Sequence, residues 1–165
     1  MEPPFERAWN KIAGFYINNK DYGKAKYYVL KGLKSNSDCI SLWKKSMIIH
    51  HFLAEYEEVI HACQNLIALE HRNLDTWMHY IDGHLYLKEW SLALKVGLKA
   101  LDQFKQNAFI EFRVAGCYYE LNQNFIAQFH FQNAKRKKPL SKFVTSLFPN
   151  FLNKKNLKKI ENSEF

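Results

Sequence analysis

The stretch WMHYIDGHLYLKEWSLALKVGLKAL, residues 77–101, decides the fold of this chain. It divides into two blocks at Lys88-Glu89, and mostly apolar residues recur in each block at three- and four-residue spacing. These are Trp77, Ile81, His84 and Leu85 in the first block, and Leu92, Ala93, Val96 and Ala100 in the second. Such spacing places each set on one face of a helix. Because neither helix can bury its apolar face alone, the stretch predicts a helix pair that needs neighbours.

The same pattern recurs along the chain at a period of 34 residues without gaps. One column holds Trp9, Trp43 and Trp77. Three further columns hold Ala25, Val59, Ala93 and Ala127; Gly32, Leu66, Ala100 and Ala134; and Tyr16, His50, His84 and Tyr118. A period kept in several columns predicts a tandem array of helix pairs whose small and aromatic columns form the core.

In these columns the sequence resembles the tetratricopeptide repeat, with its signature W-x₂-L-G-x₂-Y, then A-x₃-F and a late Pro. The first unit matches through Trp9, Tyr16 and Ala25, and the last through Ala115, Tyr118, Ala127, Phe131 and Pro139. Units two and three depart most, with Ser46-Met47 and Tyr80-Ile81 in the Leu-Gly slot. The resemblance implies an all-α fold, a right-handed superhelical α-solenoid of antiparallel helix pairs.

The period divides the chain into a lead, four units and a cap. The lead is 1–5, the units are 6–39, 40–73, 74–107 and 108–141, and 142–165 forms a basic capping helix with a frayed tail. Phe143, Leu147, Phe151 and Leu152 predict that this helix, interrupted at Pro149, covers the last unit.

The composition favours a folded intracellular protein. Hydrophobic residues make up 47% of the chain and aromatic residues 16%, which is ample for a core. The scattered Cys39, Cys63 and Cys117 predict reduced, mostly buried thiols. The sequence shows no secretory signal and no apolar run that would span a bilayer. We therefore expect a cytoplasmic protein without membrane insertion.

The formal charge of +8 is concentrated near the C-terminus. Residues 135–165 hold nine basic and two acidic residues, a net +7, whereas the rest holds 15 basic and 14 acidic residues, a net +1. One interpretation is a helix end whose cations complement the dipole, followed by solvated lysines. The other is a cationic patch for nucleic acid or another polyanion, formed by Lys154, Lys155, Lys158 and Lys159.

The resemblance also implies a concave groove, lined by the first helix of each unit, that grips a partner segment. Its residues would be Arg7, Asn10, Lys11 and Gly14; Lys44, Lys45, Ile48, His51 and Phe52; Met78, His79, Asp82, Leu85 and Tyr86; and Phe109, Phe112, Arg113, Gly116 and Tyr119. One end is basic and the other aromatic. We expect a partner protein or peptide segment that combines acidic residues with an apolar anchor.

One subfamily binds the acidic C-terminal tail of chaperones through a clamp of Lys, Asn and Arg. The matching positions here are Asn10, Gly14, Lys45, Asp75 and His79, and none carries the subfamily's residue. Asp75 would repel an acidic tail, so binding of a chaperone tail through that clamp is not expected.

Nothing in the sequence indicates an enzyme. The histidines and cysteines form no CxxC, HExxH or other compact ligand spacing, and no Gly-rich phosphate loop or nucleophile elbow is present. We therefore expect no catalytic site, no metal site and no cofactor. Two functions remain: a scaffold or adaptor that binds a partner protein, and an RNA-associated helical-repeat protein that uses the basic C-terminal patch.

Overall fold

The computed structural model describes residues 4–136 together with Phe148 and Phe151. These residues form eight helices and no strand. The helices are α1 (Pro4–Asn18), α2 (Tyr22–Ser35), α3 (Ile40–Phe52), α4 (Tyr56–Ala68), α5 (Leu74–Tyr86), α6 (Trp90–Gln103), α7 (Ala108–Glu120) and α8 (Asn124–Lys135).

The helix limits repeat with the period of the sequence. The odd-numbered helices α3, α5 and α7 begin at residues 40, 74 and 108, which are 34 residues apart. The even-numbered helices begin at residues 22, 56, 90 and 124, with the same spacing. The predicted succession of helix pairs is confirmed, while the exact limits of the repeats and of the cap stay predictions.

The turn inside each pair has the same geometry every time. One residue takes a positive φ of 56–60° after the first helix, and these residues are Lys20, Ala54, Lys88 and Asn122. The next residue donates its backbone N–H to the carbonyl oxygen five residues earlier, as Glu55 does to His50 at 2.9 Å and Glu89 to His84 at 2.9 Å. This left-handed turn satisfies carbonyls at the helix end and starts the second helix immediately.

The helices divide into two compact units, residues 1–83 and 84–165. The core of the first unit includes Ala25, Leu42, Ile49, Val59 and Leu66, each 0% exposed. The core of the second includes Ala93, Ala100, Ile110, Ala127 and Phe131, also 0% exposed. The residues of both predicted small-residue columns are therefore part of the core in the first unit and in the second.

Small residues in these columns let neighbouring helices approach closely. A Cβ built on Gly32 of α2 would lie 2.5 Å from Leu42 Cδ1 of α3 and 3.1 Å from Trp9 Cβ of α1. Carbon atoms in a packed core do not approach to 2.5 Å, so a larger residue would force the buried Leu42 side chain to move. The contact joins three helices of the first unit.

The tryptophan column is buried where a helix covers it. Trp43 and Trp77 are 9% and 5% exposed, and the Trp43 indole donates its Nε1–H to the Ser37 carbonyl at 2.6 Å. Trp9 on α1 is half-buried and stacks on Tyr28 with ring centroids 5.9 Å apart. All three cysteines are free and buried, as expected.

Phe148 and Phe151 are the residues of the predicted cap 142–165 that the structure describes, and they are 0% and 1% exposed in the second unit. Phe143, Leu147, Leu152 and the interruption at Pro149 lie outside the described residues. No helix in the described part of the chain has the length and apolar character required to cross a bilayer.

Candidate functional site

A basic cleft lies between α1 and α3 in the first unit. It is open to solvent, has a volume of about 370 Å³ and is lined by Arg7, Asn10, Lys11 and Lys45. Arg7, Asn10 and Lys11 share one side of α1 because they are three and four residues apart. Lys45 reaches across from α3, and a Cβ built on Gly14 would lie 3.6 Å from its Cε. The structure thus brings together Lys11 and Lys45, two of the predicted groove residues.

Asn10 connects the two helices that form the cleft. It donates an Nδ2–H to the Ser41 hydroxyl on α3, and its Oδ1 is buried. Among the described residues no carboxylate pairs with Arg7 or Lys11. The cleft therefore offers positive charge.

The other predicted groove residues of the first unit lie on α3. Lys44 is exposed but does not line the cleft. Phe52 is 60% exposed, and its ring stacks on Tyr22 with centroids 4.6 Å apart and planes 8° apart. The stacking holds the Phe52 ring in place while leaving much of it accessible to solvent.

His51 is held beside a second histidine. Its ring centroid lies 5.3 Å from that of His79 on α5. Burial lowers the pKa of His51, the nearby His79 lowers it further, and Asp82 opposes both effects. His51 is therefore a neutral, partly buried ring at neutral pH rather than an added cation of the basic cleft.

In the second unit the predicted aromatic residues fall into two groups. Phe112 and Arg113 are each 2% exposed, Phe112 packs edge-on against Phe131 at 5.9 Å, and Arg113 donates to the Phe109 carbonyl at 3.1 Å. They lie in the interior and offer no surface to a partner. Tyr86 is 38% exposed, and Phe109 and Tyr119 are half-buried.

The chain itself covers the face of α7 that was predicted to line the groove. A Cβ built on Gly116 would lie 2.4 Å from the Phe148 ring. The Phe151 ring lies 4.8 Å from that of Tyr119 and 5.4 Å from that of Phe131. Phe148 was not among the residues singled out in the sequence, since only its spacing of three from Phe151 hints at a shared face.

The fold is that of several solved repeat structures. The structure of YrrB, described as a TPR protein with an unusual peptide-binding site, matches with a TM-score of 0.72 at 14% identity, over 96% of this chain and 87% of that one. MamA from Desulfovibrio magneticus RS-1 matches with a TM-score of 0.79 at 13% identity, over 98% and 92%. TTC0263 of Thermus thermophilus, a thermophilic TPR protein, matches with a TM-score of 0.64 at 15% identity, over 94% and 86%.

The chain has the tetratricopeptide-repeat fold. The predicted fold class is confirmed by these likenesses, which at this identity concern the fold alone. No protein-family model matches the sequence, and no curated protein matches it at a significant level.

A histidine–glutamate pair recurs at the turns of this tetratricopeptide-repeat fold. The first and fourth repeats have Tyr16 and Tyr118 at this position, and the second and third repeats have a buried histidine instead. His50 Nδ1 lies 2.5 Å from Glu55 Oε2, and His84 Nδ1 lies 2.6 Å from Glu89 Oε2. In each case the carboxylate belongs to the residue that precedes the second helix of the pair. These histidines connect the two helices of a repeat.

Two observations bear on chemistry elsewhere in the chain. Burial raises the pKa of the Cys63 thiol well above its ordinary value, and Asp75 and Asp82 add to the effect, so this thiol stays protonated and unreactive. No group of three potential ligands in the described ranges is arranged to hold a metal ion. The predicted basic patch Lys154, Lys155, Lys158 and Lys159 lies outside the described residues.

Proposed function

We propose that this chain is a non-enzymatic scaffold or adaptor that binds an acidic segment of a partner protein in the basic cleft of the first unit. The observation that supports it is the combination of Arg7, Lys11 and Lys45 in one open cleft between α1 and α3. YrrB, which shares the fold, is described as having a peptide-binding site.

The chemistry of the cleft suits an extended peptide. Carboxylate side chains pair with guanidinium and ammonium groups, and Arg can bind a carboxylate with two parallel hydrogen bonds.

Phe52 is the proposed contact for the apolar anchor of the same segment. An aromatic ring that is already fixed loses little conformational freedom on binding, and aromatic residues contribute strongly to interfaces. Its stacking on Tyr22 supplies that fixed position within the same unit as the cleft.

The predicted aromatic end, at Tyr86, Phe109 and Tyr119, has a smaller part in this proposal. Phe151 already packs on Tyr119, and the neighbouring Phe112 and Arg113 are interior residues. Recognition of a chaperone tail through the subfamily clamp is not proposed, because Asp75 and His79 stand at two of its positions. A cytoplasmic location stays an expectation, and nothing in the described residues favours the RNA-associated alternative.

A direct binding measurement tests the proposal. The probe is a fluorescein-labelled peptide of Glu, Ser and Gly with one central Phe, compared with the same peptide in which Gln replaces Glu. We expect salt-sensitive binding of the Glu peptide only. The double variant Lys11→Glu, Lys45→Glu should weaken it by about 10–100-fold, since each reversal turns attraction into repulsion.

Lys44→Glu is the matched control, because Lys44 is an exposed lysine next to Lys45 that does not line the cleft. It should leave affinity within about threefold, the range expected for a peripheral charge. Equal losses for both variants would show unspecific attraction and overturn the cleft as the site. Tight binding of a labelled RNA oligonucleotide that excludes the peptide would favour the alternative function.

A further inference from the structure

The basic cleft of the first unit gathers cations that no acid of the cleft balances. Arg7 and Lys11 of α1 and Lys45 of α3 line it, and no carboxylate among the described residues does. The residue before Arg7 is an acid, but Glu6 is 5% exposed and accepts an Nδ2–H from Asn36 instead. Because like charges held close together repel, the cleft favours a ligand that carries more than one negative charge.

The walls of the cleft are held in position by contacts within the unit. Asn10 on α1 donates an Nδ2–H to the Ser41 hydroxyl on α3, which joins the two helices at the cleft. Lys45 is half-buried, and a Cβ built on Gly14 would lie 3.6 Å from its Cε, so the stem of Lys45 runs against α1. A side chain whose stem is already packed loses less conformational freedom when it binds. These contacts preorganise the cleft for an anion.

We propose that the cleft binds a phosphate monoester, carried by a phosphorylated serine or threonine of the partner segment. The inference rests on the proposed peptide function and names the group that this site recognises. A phosphorylated side chain has a charge of about −1.5 to −2 at pH 7 and three acceptor oxygens, whereas a glutamate has a single charge and two oxygens. Arg7 can donate two parallel N–H groups to the phosphate, and the ammonium groups of Lys11 and Lys45 balance the remaining charge.

The arrangement of the cations disfavours a nucleic acid. Each phosphodiester carries a single negative charge, and proteins that bind single strands spread their cations along a groove that follows the backbone. Here the cations surround one opening of about 370 Å³, and Lys44, the neighbouring cation on α3, does not line it. A monoester at the end of a side chain can enter such an opening, whereas a strand would have to cross it.

Fluorescence anisotropy of the full chain with three labelled peptides tests the inference. The first is the peptide of Glu, Ser and Gly with one central Phe, the second has one serine phosphorylated, and the third has Glu in place of that serine. The phosphoserine peptide should bind about tenfold more tightly than the third peptide. Equal affinity of these two would overturn the inference and leave the peptide function standing. Failure of all three to bind would overturn the peptide function itself.

Single variants show whether the preference arises in the cleft. Arg7→Gln and Lys11→Gln each remove one cation from an exposed position. Since Coulomb attraction scales with the charge of the ligand, each variant should reduce the preference for phosphoserine over Glu from about tenfold to about threefold. Lys44→Gln is the control and should keep the full preference. An equal fall in the control would place the preference outside the cleft and overturn the inference.

The pH dependence gives an independent signature of the phosphate. Its second ionisation has a pKa of about 6, so lowering the pH from about 7.5 to about 5.5 converts much of the dianion to the monoanion. The preference for the phosphoserine peptide should shrink over this range, because guanidinium and ammonium groups keep their charge there. Any change in histidine charge acts on both peptides and cancels in the ratio. A preference that does not change with pH would contradict recognition of the dianion.

Competition separates a phosphorylated segment from a free phosphorylated compound. Inorganic phosphate and O-phosphoserine should displace the phosphoserine peptide only at concentrations at least about a hundredfold above the dissociation constant of the peptide, because they lack the contacts of the flanking segment. Displacement by either compound at a concentration equal to that constant would identify a free phosphate monoester as the ligand and overturn its assignment to a partner segment.

Discussion

Helices α1 and α7 hold the same position in the repeat and have opposite surroundings. On α7 every residue from 111 to 117 is buried, including Glu111 and Arg113. On α1 the buried described side chains are Glu6 and Ala13. Since α6 and α8 pack on α7 and Phe148 closes its remaining face, α7 is the centre of its unit. The difference shows that the repeat position places a side chain on a face, and the neighbours decide whether that face is core, site or interface.

Truncating one phenylalanine on each helix should give the largest difference in unfolding free energy between α7 and α1. Phe112→Ala on α7 should lower the free energy of unfolding by about 3–5 kcal/mol, because it removes a fully buried ring in contact with Phe131. Phe15→Ala on α1 should change it by less than about 0.5 kcal/mol, since that ring is mostly exposed. Urea unfolding at a concentration where the chain is monomeric measures both. Similar losses would mean that the two helices are equally buried in solution.

Two glycines at equivalent repeat positions allow α1 and α7 to be compared through the addition of one Cβ atom. Gly14 and Gly116 lie three periods apart. Gly116→Ala should destabilise the chain by about 1–3 kcal/mol, because the new Cβ would lie 2.4 Å from the buried Phe148 ring. Gly14→Ala should stabilise it by about 0.5–1 kcal/mol, because the nearest atom is Lys45 Cε at 3.6 Å and alanine favours a helix.

Thermal melts of both glycine variants measure these two changes in stability. If Gly116→Ala stabilises the chain as much as Gly14→Ala does, Phe148 does not pack against α7 in solution. In the background of Phe148→Ala, which itself removes a fully buried ring, Gly116→Ala should cost little more, since the ring that collides is absent.

The smallest expected effect depends on pH and concerns Glu55 in the first unit. The Lys26 ammonium, 2.7 Å and 2.8 Å from the two carboxylate oxygens, lowers the pKa of Glu55, and His50 adds to this against opposing desolvation. The folded pKa lies below the ordinary 4.5, so this stabilisation is complete above about pH 4.5 and is lost as pH falls through the lowered value.

Lys26→Met should therefore cost little, about 0.2–1 kcal/mol near pH 7, because the pair is partly exposed and screened by solvent. The difference from the original chain should shrink as the pH falls below 4.5 and Glu55 takes up its proton. Urea unfolding over a pH series from 7 downward measures it, with Lys34→Met as a control for an exposed lysine on the same helix. A difference that grows on acidification would show that Lys26 acts other than through the ionised carboxylate.

The sequence predicted the elements well because their determinants are local and periodic. The predicted break at Lys88-Glu89 coincides with the left-handed turn at Lys88, and the Ala25 and Gly32 columns are core. The site was harder to predict. Lys11 and Lys45 could be assigned to one groove through the resemblance, but the Asn10–Ser41 hydrogen bond and the interior position of Arg113 depend on how the helices pack.

The sequence by itself determined that paired helices recur every 34 residues, because spacing along the chain sets which residues share a helix face and where small residues allow close approach. Only the tertiary structure decided what each face meets. Ala8 and Leu42 share a column, yet one is exposed and the other fully buried. Burial is a property of the neighbouring helix, and no periodicity within a segment records whether that neighbour is present.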